Sequence, residues 1–253
     1  MEFYVGMHHP SDAARVPRCM VSIKRLAGRR SDFPTPPAGW MLDSGAFTEL
    51  HQHGRYRASP EDYAAEVRRW AGCGRLLAAS SQDYMCEPFI LARTGLSVAA
   101  HQRLTIERYD AIRALVHTAH ILPVLQGYLP EQYAAHIAQY GERLRPGMWV
   151  GVGSVCKRNA NVRDIAAVLR TIRAARPDLR LHGFGLKTTA LDAPEVRAML
   201  HSADSMAWSY AARREGRGRA ANDWREALAF YDRVAHARPA TPTPMEELWK
   251  PAA

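Results

Sequence analysis

The sequence predicts an α/β fold, a single (β/α)8 TIM barrel, on three observations. Short apolar runs alternate with helical segments, as in parallel strands joined by crossover helices. Eight such runs are present, and eight strands close a barrel. The length of 253 residues matches the roughly 250 residues that one barrel of this type needs. We therefore expect the barrel to occupy residues 1–238, followed by a Pro-rich extension over residues 239–253.

The apolar runs and the helix-start signals place the elements. The predicted strands are residues 3–6, 19–23, 40–43, 76–80, 121–126, 149–153, 181–185 and 203–208. Residues 59–62, Ser-Pro-Glu-Asp, are typical of a helix start, and residues 130–132 repeat this pattern. Ser97, Asn161 and Asn222 are predicted N-caps of helices that end near residues 119, 175 and 237. Three prolines between residues 33 and 38 leave no room for a normal helix, so we expect an irregular first third.

Charge and composition narrow the class of partner. The formal net charge is +9 and the pI is about 9.7, which favours an anionic partner, first of all a nucleic acid. The skew of 30 Arg against 4 Lys also fits a biased genome composition, so the charge alone assigns no function. No apolar run approaches a membrane span and no signal peptide is evident, so we expect a cytoplasmic protein with no membrane partner. The four cysteines form no C-x-x-C pair, which argues against a zinc knuckle or a disulfide framework.

Polar residues cluster where the predicted strands end, the place where barrel enzymes carry their active sites. Asp43 ends the third strand, Asp83 follows the fourth, Gln126 ends the fifth, and Asp204 lies in the eighth. Any single one of these aspartates could equally be a helix cap or turn former. Glycines at 151, 153, 183 and 185 indicate either tight turns or close approach of the backbone to a planar ligand. The usual phosphate-binding glycine loops are absent from the sequence.

Taken in chain order, these segments resemble the tRNA-guanine transglycosylase superfamily. The segments are LDSGAF, SSQDYMCEP, PVLQGY, VGVGS, GFG and ADS, and the similarity spans residues 40–214. The tRNA enzymes carry a C-x-C-x-x-C zinc subdomain late in the chain, whereas no cysteine follows Cys156 here. The short chain without zinc ligands is most similar to the DNA 7-deazaguanine transglycosylases, which insert a deazapurine base into DNA.

The resemblance implies roles for two carboxylates. Asp204 matches the nucleophile that attacks C1′ of the target nucleotide. Its Asp-Ser pair is more similar to the motif of the archaeal-type enzymes than to that of the bacterial tRNA-type enzymes. Asp43 matches the general acid/base. Base exchange at a glycosidic carbon requires a nucleophile and a proton donor, and two carboxylates in different environments can divide these tasks. No metal or organic cofactor is implied.

The resemblance also implies a binding pocket and a DNA-binding rim. Phe47 would stack on the base, Asp83 would bind its Watson–Crick edge, and Gln126 its carbonyl. The other implied pocket residues are Ser44 beside Asp43, Gly151 or Gly153 against the ring, and His182 with Gly183. The family commonly has a methionine at the position of His182. The cations beyond the strand ends are candidate phosphate contacts: Lys157, Arg158, Lys187, Arg213, Arg214, Arg217 and Arg219. For the last four of these, the alternative is a solvated charged loop.

The sequence thus predicts an enzyme that replaces guanine in DNA with a 7-deazaguanine such as 7-cyano-7-deazaguanine (preQ0). One alternative is a transglycosylase that acts on tRNA, a free nucleoside or a sugar phosphate. Another is a non-catalytic nucleic-acid-binding barrel that assists an active partner. Whether the chain works alone, as a homodimer or with a partner protein is left open by the sequence.

Overall fold

The structure is a computed structural model that describes residues 1–158, 161–215 and 222–237. Within these residues nine parallel strands form one sheet in the order β5-β4-β3-β2-β1-β9-β8-β7-β6. The strands are β1 Glu2–Gly6, β2 Cys19–Ser22, β3 Trp40–Asp43, β4 Leu76–Ser80, β5 His120–Leu122, β6 Val124–Leu125, β7 Trp149–Val152, β8 Arg180–Gly183 and β9 Ser202–Ser205. The sheet curls into a nearly closed barrel, which confirms the predicted α/β barrel.

Helices connect the strands on the outside of the barrel. In the described part of the chain they are α1 Ile23–Leu26, α2 Ala46–His53, α3 Pro60–Ala71, α4 Pro88–Thr94, α5 Val98–Leu115, α6 Pro130–Tyr140, α7 Val162–Ala175, α8 Thr188–Asp192, α9 Pro194–Met199, α10 Ala207–Glu215 and α11 Trp224–Ala235. None of these helices has both the length and the apolar character needed to cross a membrane.

The predicted fifth strand, residues 121–126, is split into β5 and β6. Pro123 separates the two pieces because proline has no N–H to donate to a neighbouring strand. β5 pairs with β4 and β6 pairs with β7, while the carbonyl of Pro123 accepts a hydrogen bond from Gly151 N at 2.8 Å. The two pieces therefore act as one barrel strand, and the eight predicted positions account for all nine strands.

The helix-start predictions have mixed outcomes. Ser59 and Asn161 cap α3 and α7 as predicted, and Ser97 caps α5, although α5 ends at Leu115 and not near residue 119. The prediction for Asn222 is wrong by one position, because the Asp223 side chain accepts the capping hydrogen bond from Arg225 N. The short α1, with no further helix before β3, confirms the irregular first third. The domain boundary at 238 stays a prediction, since residues 238–253 lie outside the described residues.

Successive side chains along each strand point alternately into the barrel and out toward the helices. Phe3 and Val5 of β1 pack in the main core between the strands and the helices, whereas Tyr4 points into the barrel. Inside, an apolar layer is formed by Tyr4, Met20, Met41, Ala78, Leu122 and Trp149. Residues two positions further along a strand share its inward face, so Asp43 lies above Met41. The apolar layer therefore forms the floor under the carboxyl ends of the strands.

We predict that Ser59→Ala lowers the free energy of unfolding by about 1 kcal/mol. The Ser59 hydroxyl accepts from Asp62 N and the Asp62 carboxylate accepts from Ser59 N, both at 3.1 Å, so alanine leaves a donor of α3 without its cap. Urea unfolding measures the loss. Ser59→Asn retains an acceptor at the N-cap and should unfold close to wild type; equal destabilisation by both changes would contradict the capping role.

Candidate active site

A cavity of about 430 Å3 opens at the carboxyl ends of the strands. This volume falls within the ~300–1,000 Å3 typical of small-molecule sites. Seven of the residues predicted from the sequence line it: Asp43, Phe47, Asp83, Gln126, Gly153, Lys187 and Asp204. The three carboxylates that the sequence placed at separate strand ends therefore share one cavity.

Asp43 is held at the end of β3 by the start of α2. Its Oδ2 accepts a hydrogen bond from Gly45 N at 3.1 Å, and Gly45 adopts the left-handed conformation with φ 75°. Burial raises the pKa of Asp43 to about 6; the neighbouring Asp204 carboxylate adds to the shift, and hydrogen bonds from Ser22 and Gly45 oppose it. A carboxyl group with this pKa can both donate and accept a proton near neutral pH.

Asp83 and Gln126 form a directly hydrogen-bonded pair on the cavity wall. The Gln126 side-chain N–H donates to Asp83 Oδ2, while Gln126 Oε1 lies 2.7 Å from the Ser154 hydroxyl that donates to it. These two contacts fix which end of the amide faces Asp83. Burial, together with the neighbouring Asp43 carboxylate, raises the pKa of Asp83 to about 7, although the hydrogen bond from Gln126 opposes the shift.

Ser154 and Glu87 support this pair from behind, and sequence reasoning missed both. The Ser154 hydroxyl accepts from Cys86 N at 2.7 Å and lies 2.8 Å from Glu87 Oε2. Burial raises the pKa of the Glu87 carboxyl. The single Ser154 hydroxyl proton is within hydrogen-bond distance of both Glu87 Oε2 and Gln126 Oε1. Ser154 also has φ 52°, an uncommon conformation for a residue other than glycine.

The glycines of β7 make room for side chains. A Cβ atom at Gly153 would overlap the side-chain amide of Gln126, and one at Gly151 would overlap the ring of Phe184. Both backbone N–H groups are already used, because Gly153 N donates to Leu125 O at 3.0 Å and Gly151 N to Pro123 O. The resemblance implied that one of these amides contacts the base, but both are directed at backbone carbonyls. The two glycines make room for side chains and do not serve a tight turn.

Four predicted pocket residues do not line the cavity: Ser44, Gly151, His182 and Gly183. Gly183 faces outward, since a Cβ there would meet Leu186 and Leu200 of the core outside the strands. Ser44 lies behind Ser80, whose hydroxyl donates to it at 3.5 Å and which does line the cavity. The Phe184 ring covers Gly151 and His182. Phe184, two residues beyond His182, takes the expected place on the wall and packs edge-on against that imidazole at 4.8 Å between ring centroids.

Asp204 lies near the end of β9 and is 8% exposed. Its Oδ1 accepts a hydrogen bond from Gly185 N at 3.0 Å and lies 3.2 Å from His182 Nε2. The carboxylate therefore has one anchored oxygen and remains part of the cavity wall.

Aromatic side chains stand at the cavity mouth. Phe47, 41% exposed, lies in the first turn of α2 and stacks on His51, with centroids 5.2 Å apart and planes at 11°. Phe89 contacts both rings edge-on. A partly exposed ring beside a cavity can stack on a planar heterocycle. Phe47 is therefore positioned for the stacking role that the resemblance implied.

The family model DpdA, described as DeoxyPurine in DNA protein A, matches residues 1–225. The chain belongs to the DpdA family. The match covers the entire described barrel up to the start of α11 and confirms the resemblance to DNA 7-deazaguanine transglycosylases. It indicates a transglycosylase role with DNA as the substrate. A search of curated proteins finds no match to the chain.

The cations of this DpdA-family barrel are placed unequally. Lys187 is exposed and lines the cavity, and Arg213 is exposed on α10. Arg158 is only 9% exposed, because its guanidinium lies over the Tyr128 ring at 4.2 Å and its Nε donates to Ser154 O. It therefore supports the cavity wall and is not directed toward a DNA strand. Arg25, which the sequence analysis did not select, also lines the cavity. The remaining predicted cations fall outside the description: the side chains of Lys157 and Arg214, and the whole of Arg217 and Arg219.

No metal-binding cluster is found in the part of the chain that the structure describes. Three or more His, Cys, Asp or Glu side chains do not converge there in a way that could hold a metal ion.

We predict that Gly153→Ala lowers kcat/KM for base exchange at least about tenfold, because the new methyl group displaces the Gln126 amide from Asp83. Gly72→Ala is the matched control: Gly72 has φ −78°, and an added Cβ would meet only Arg69 O at 3.8 Å. Steady-state exchange assays on both variants measure the effect. Wild-type kcat/KM in Gly153→Ala would contradict the role of the glycine.

We predict that Asp83→Asn removes part of the pH dependence of stability. The pKa of about 7 in the folded chain lies above the ~3.9 of an unfolded aspartate, so the stability that this group contributes is complete below pH 4 and is lost as the pH rises through 7. Its loss amounts to at most about 1.4 kcal/mol per pH unit in that window. Urea unfolding between pH 4 and 8 should show the variant gaining on wild type as the pH rises, and the exposed control Asp110→Asn should not. Parallel curves for wild type and Asp83→Asn would refute the shift.

Proposed function

We propose that this chain exchanges guanine in DNA for a 7-deazaguanine base such as preQ0, through a covalent aspartyl-DNA intermediate. The observation that carries the proposal is the convergence of Asp43, Asp83 and Asp204 on one cavity, each in a different environment. The DpdA-family membership supports DNA as the substrate.

The Asp83–Gln126 pair matches the edge of a guanine ring. Guanine offers two neighbouring donors, N1–H and the 2-amino group, and one acceptor, O6. Asp83 can accept from both donors, and the second N–H of the Gln126 amide can donate to O6. Donors directed at a carboxylate favour its charged form, so base binding should lower the raised pKa of Asp83. A 7-deazaguanine has the same edge, so one pocket serves the outgoing and the incoming base.

The remaining two carboxylates divide the exchange reaction. The Asp204 carboxylate attacks C1′ and forms a C1′–O bond while the C1′–N9 bond breaks, its electron pair going to guanine, which takes a proton from Asp43. The incoming base then loses its N9 proton to Asp43 and attacks C1′, releasing Asp204 as a carboxylate. Two inversions at C1′ retain the configuration of the sugar. These steps require no metal or organic cofactor.

The target nucleotide must leave the helical stack before it can enter the cavity. Phe47 is proposed to stack on the base, and Arg25 and Lys187 on the cavity wall to bind flanking phosphates. A DNA substrate is also consistent with the cytoplasmic location predicted from the sequence, which stays a prediction.

We predict that Asp204→Asn lowers kcat for base exchange at least about 1,000-fold while DNA binding is retained, because an amide cannot form the covalent bond to C1′. Incorporation of labelled guanine into DNA measures the exchange, and mass spectrometry of nucleosides from digested DNA identifies the product. Asp110→Asn, which makes the same charge change at an exposed salt bridge with Arg143, should keep wild-type activity.

The same assay separates the alternatives. Equal exchange by wild type and Asp204→Asn would overturn the nucleophile assignment. Exchange only in tRNA or in a free nucleoside would overturn the DNA substrate, and DNA binding without exchange by the wild-type chain would favour a non-catalytic subunit.

A further inference from the structure

A chain of hydrogen bonds crosses the barrel interior and ends on Asp204. Trp149 Nε1 donates to Ser202 Oγ at 2.8 Å, and Ser202 Oγ lies 2.9 Å from His182 Nδ1. On the other side of the imidazole, His182 Nε2 lies 3.2 Å from Asp204 Oδ1. Trp149 is 8% exposed, and Ser202 and His182 have no measurable exposure, so solvent does not replace these contacts.

The chemistry of the first group sets the direction of the whole chain. An indole N–H can only donate, so Ser202 must accept from Trp149. The serine proton then has one partner within the described residues, the lone pair of His182 Nδ1. With Nδ1 unprotonated, a neutral His182 carries its proton on Nε2 and donates it to Asp204. The opposite tautomer would point a nitrogen lone pair at a carboxylate oxygen and leave the buried serine proton without an acceptor.

The contacts to Asp204 are one-sided. His182 and Gly185 N both bond to Oδ1, and no described residue bonds to Oδ2. Two donors on one oxygen fix the rotation of the carboxylate. The other oxygen is left available to the cavity that Asp204 lines.

We propose that His182 is a positioning residue that holds the Asp204 carboxylate so that Oδ2 is directed at C1′ of the bound nucleotide, with Ser202 and Trp149 fixing its tautomer. The proposal rests on the proposed function, in which Asp204 is the nucleophile. It assigns His182 a task different from the base contact that the sequence resemblance implied, and it accounts for an imidazole that is fully buried beside the cavity wall. Loss of the contact should slow the attack on C1′ with little effect on base binding, since His182 does not line the cavity.

Two substitutions of His182 separate positioning from packing. A glutamine can place its side-chain N–H near the position of Nε2 and still donate to Asp204, whereas an asparagine is too short to do so. We expect His182→Asn to lower kcat about 10- to 100-fold with less than a threefold change in KM for the base. His182→Gln should recover most of kcat. Equal kcat in the two variants at matched thermal stability would overturn the proposal.

Ser202→Ala tests the source of the tautomer. It removes the donor to His182 Nδ1, so kcat should fall, and 15N NMR of the histidine ring should show the loss of a pure Nε2–H form of His182. Ser81→Ala is the matched control, because Ser81 is buried and its hydroxyl makes no hydrogen bond within the described residues. An Nδ1–H tautomer of His182 in the wild-type chain, or wild-type kcat in Ser202→Ala, would overturn the proposal.

The wild-type assay keeps this inference separate from the proposed function. A wild-type chain that exchanges no base in DNA overturns the proposed function and the task of His182 with it. An active wild type whose His182→Asn variant keeps its full kcat overturns the positioning role alone.

Discussion

In a closed barrel of parallel strands, only every second residue of a strand faces the interior, and the candidate site depends on that constraint. Met20 and Met41 belong to an apolar layer across the barrel, and Ser22 and Asp43 follow two residues later on the same face. The polar groups therefore stand on an apolar floor. This position gives the carboxyl groups little solvation without hiding them from the cavity, which explains the raised pKa values of Asp43 and Asp83.

Ion pairs of the buried Glu49 hold α2 in place at the mouth of the cavity. Glu49 of α2 has no measurable exposure and accepts hydrogen bonds from Lys24 and from both the backbone and the side chain of Arg57. Burial alone would raise its pKa, but the hydrogen bonds from Arg57 and Lys24 outweigh it and lower the pKa to about 2. A buried carboxylate is stable only with such partners, so α2, which carries Phe47, is tied to the segments before and after it.

The sequence was sufficient to predict the barrel and the cavity but not the whole wall. Apolar runs marked each strand, and the residues after them include Asp43, Asp83, Gln126 and Asp204, which lie together. The resemblance placed His182 and Gly183 in the pocket, whereas Phe184, two residues beyond His182, lines the cavity instead. The contacts of Glu87 with Ser154 and of Arg158 with Tyr128 join residues 67 and 30 positions apart, and no local pattern reveals them.

Three identical side chains acquire different chemistry from their surroundings. Asp83 faces the Gln126 amide and can accept from a ligand with two donors, whereas Asp43 faces Ser22 and Gly45 and has a pKa of about 6, so that it can exchange a proton near neutral pH. Asp204 has one oxygen bonded twice and the other unbonded within the described residues. Each environment is built from a different strand and its loop, yet the groups are linked electrostatically, because the Asp204 carboxylate raises the pKa of Asp43 and the Asp43 carboxylate raises that of Asp83. The division of labour proposed for base exchange therefore follows from the hydrogen-bond partners of the carboxyl groups.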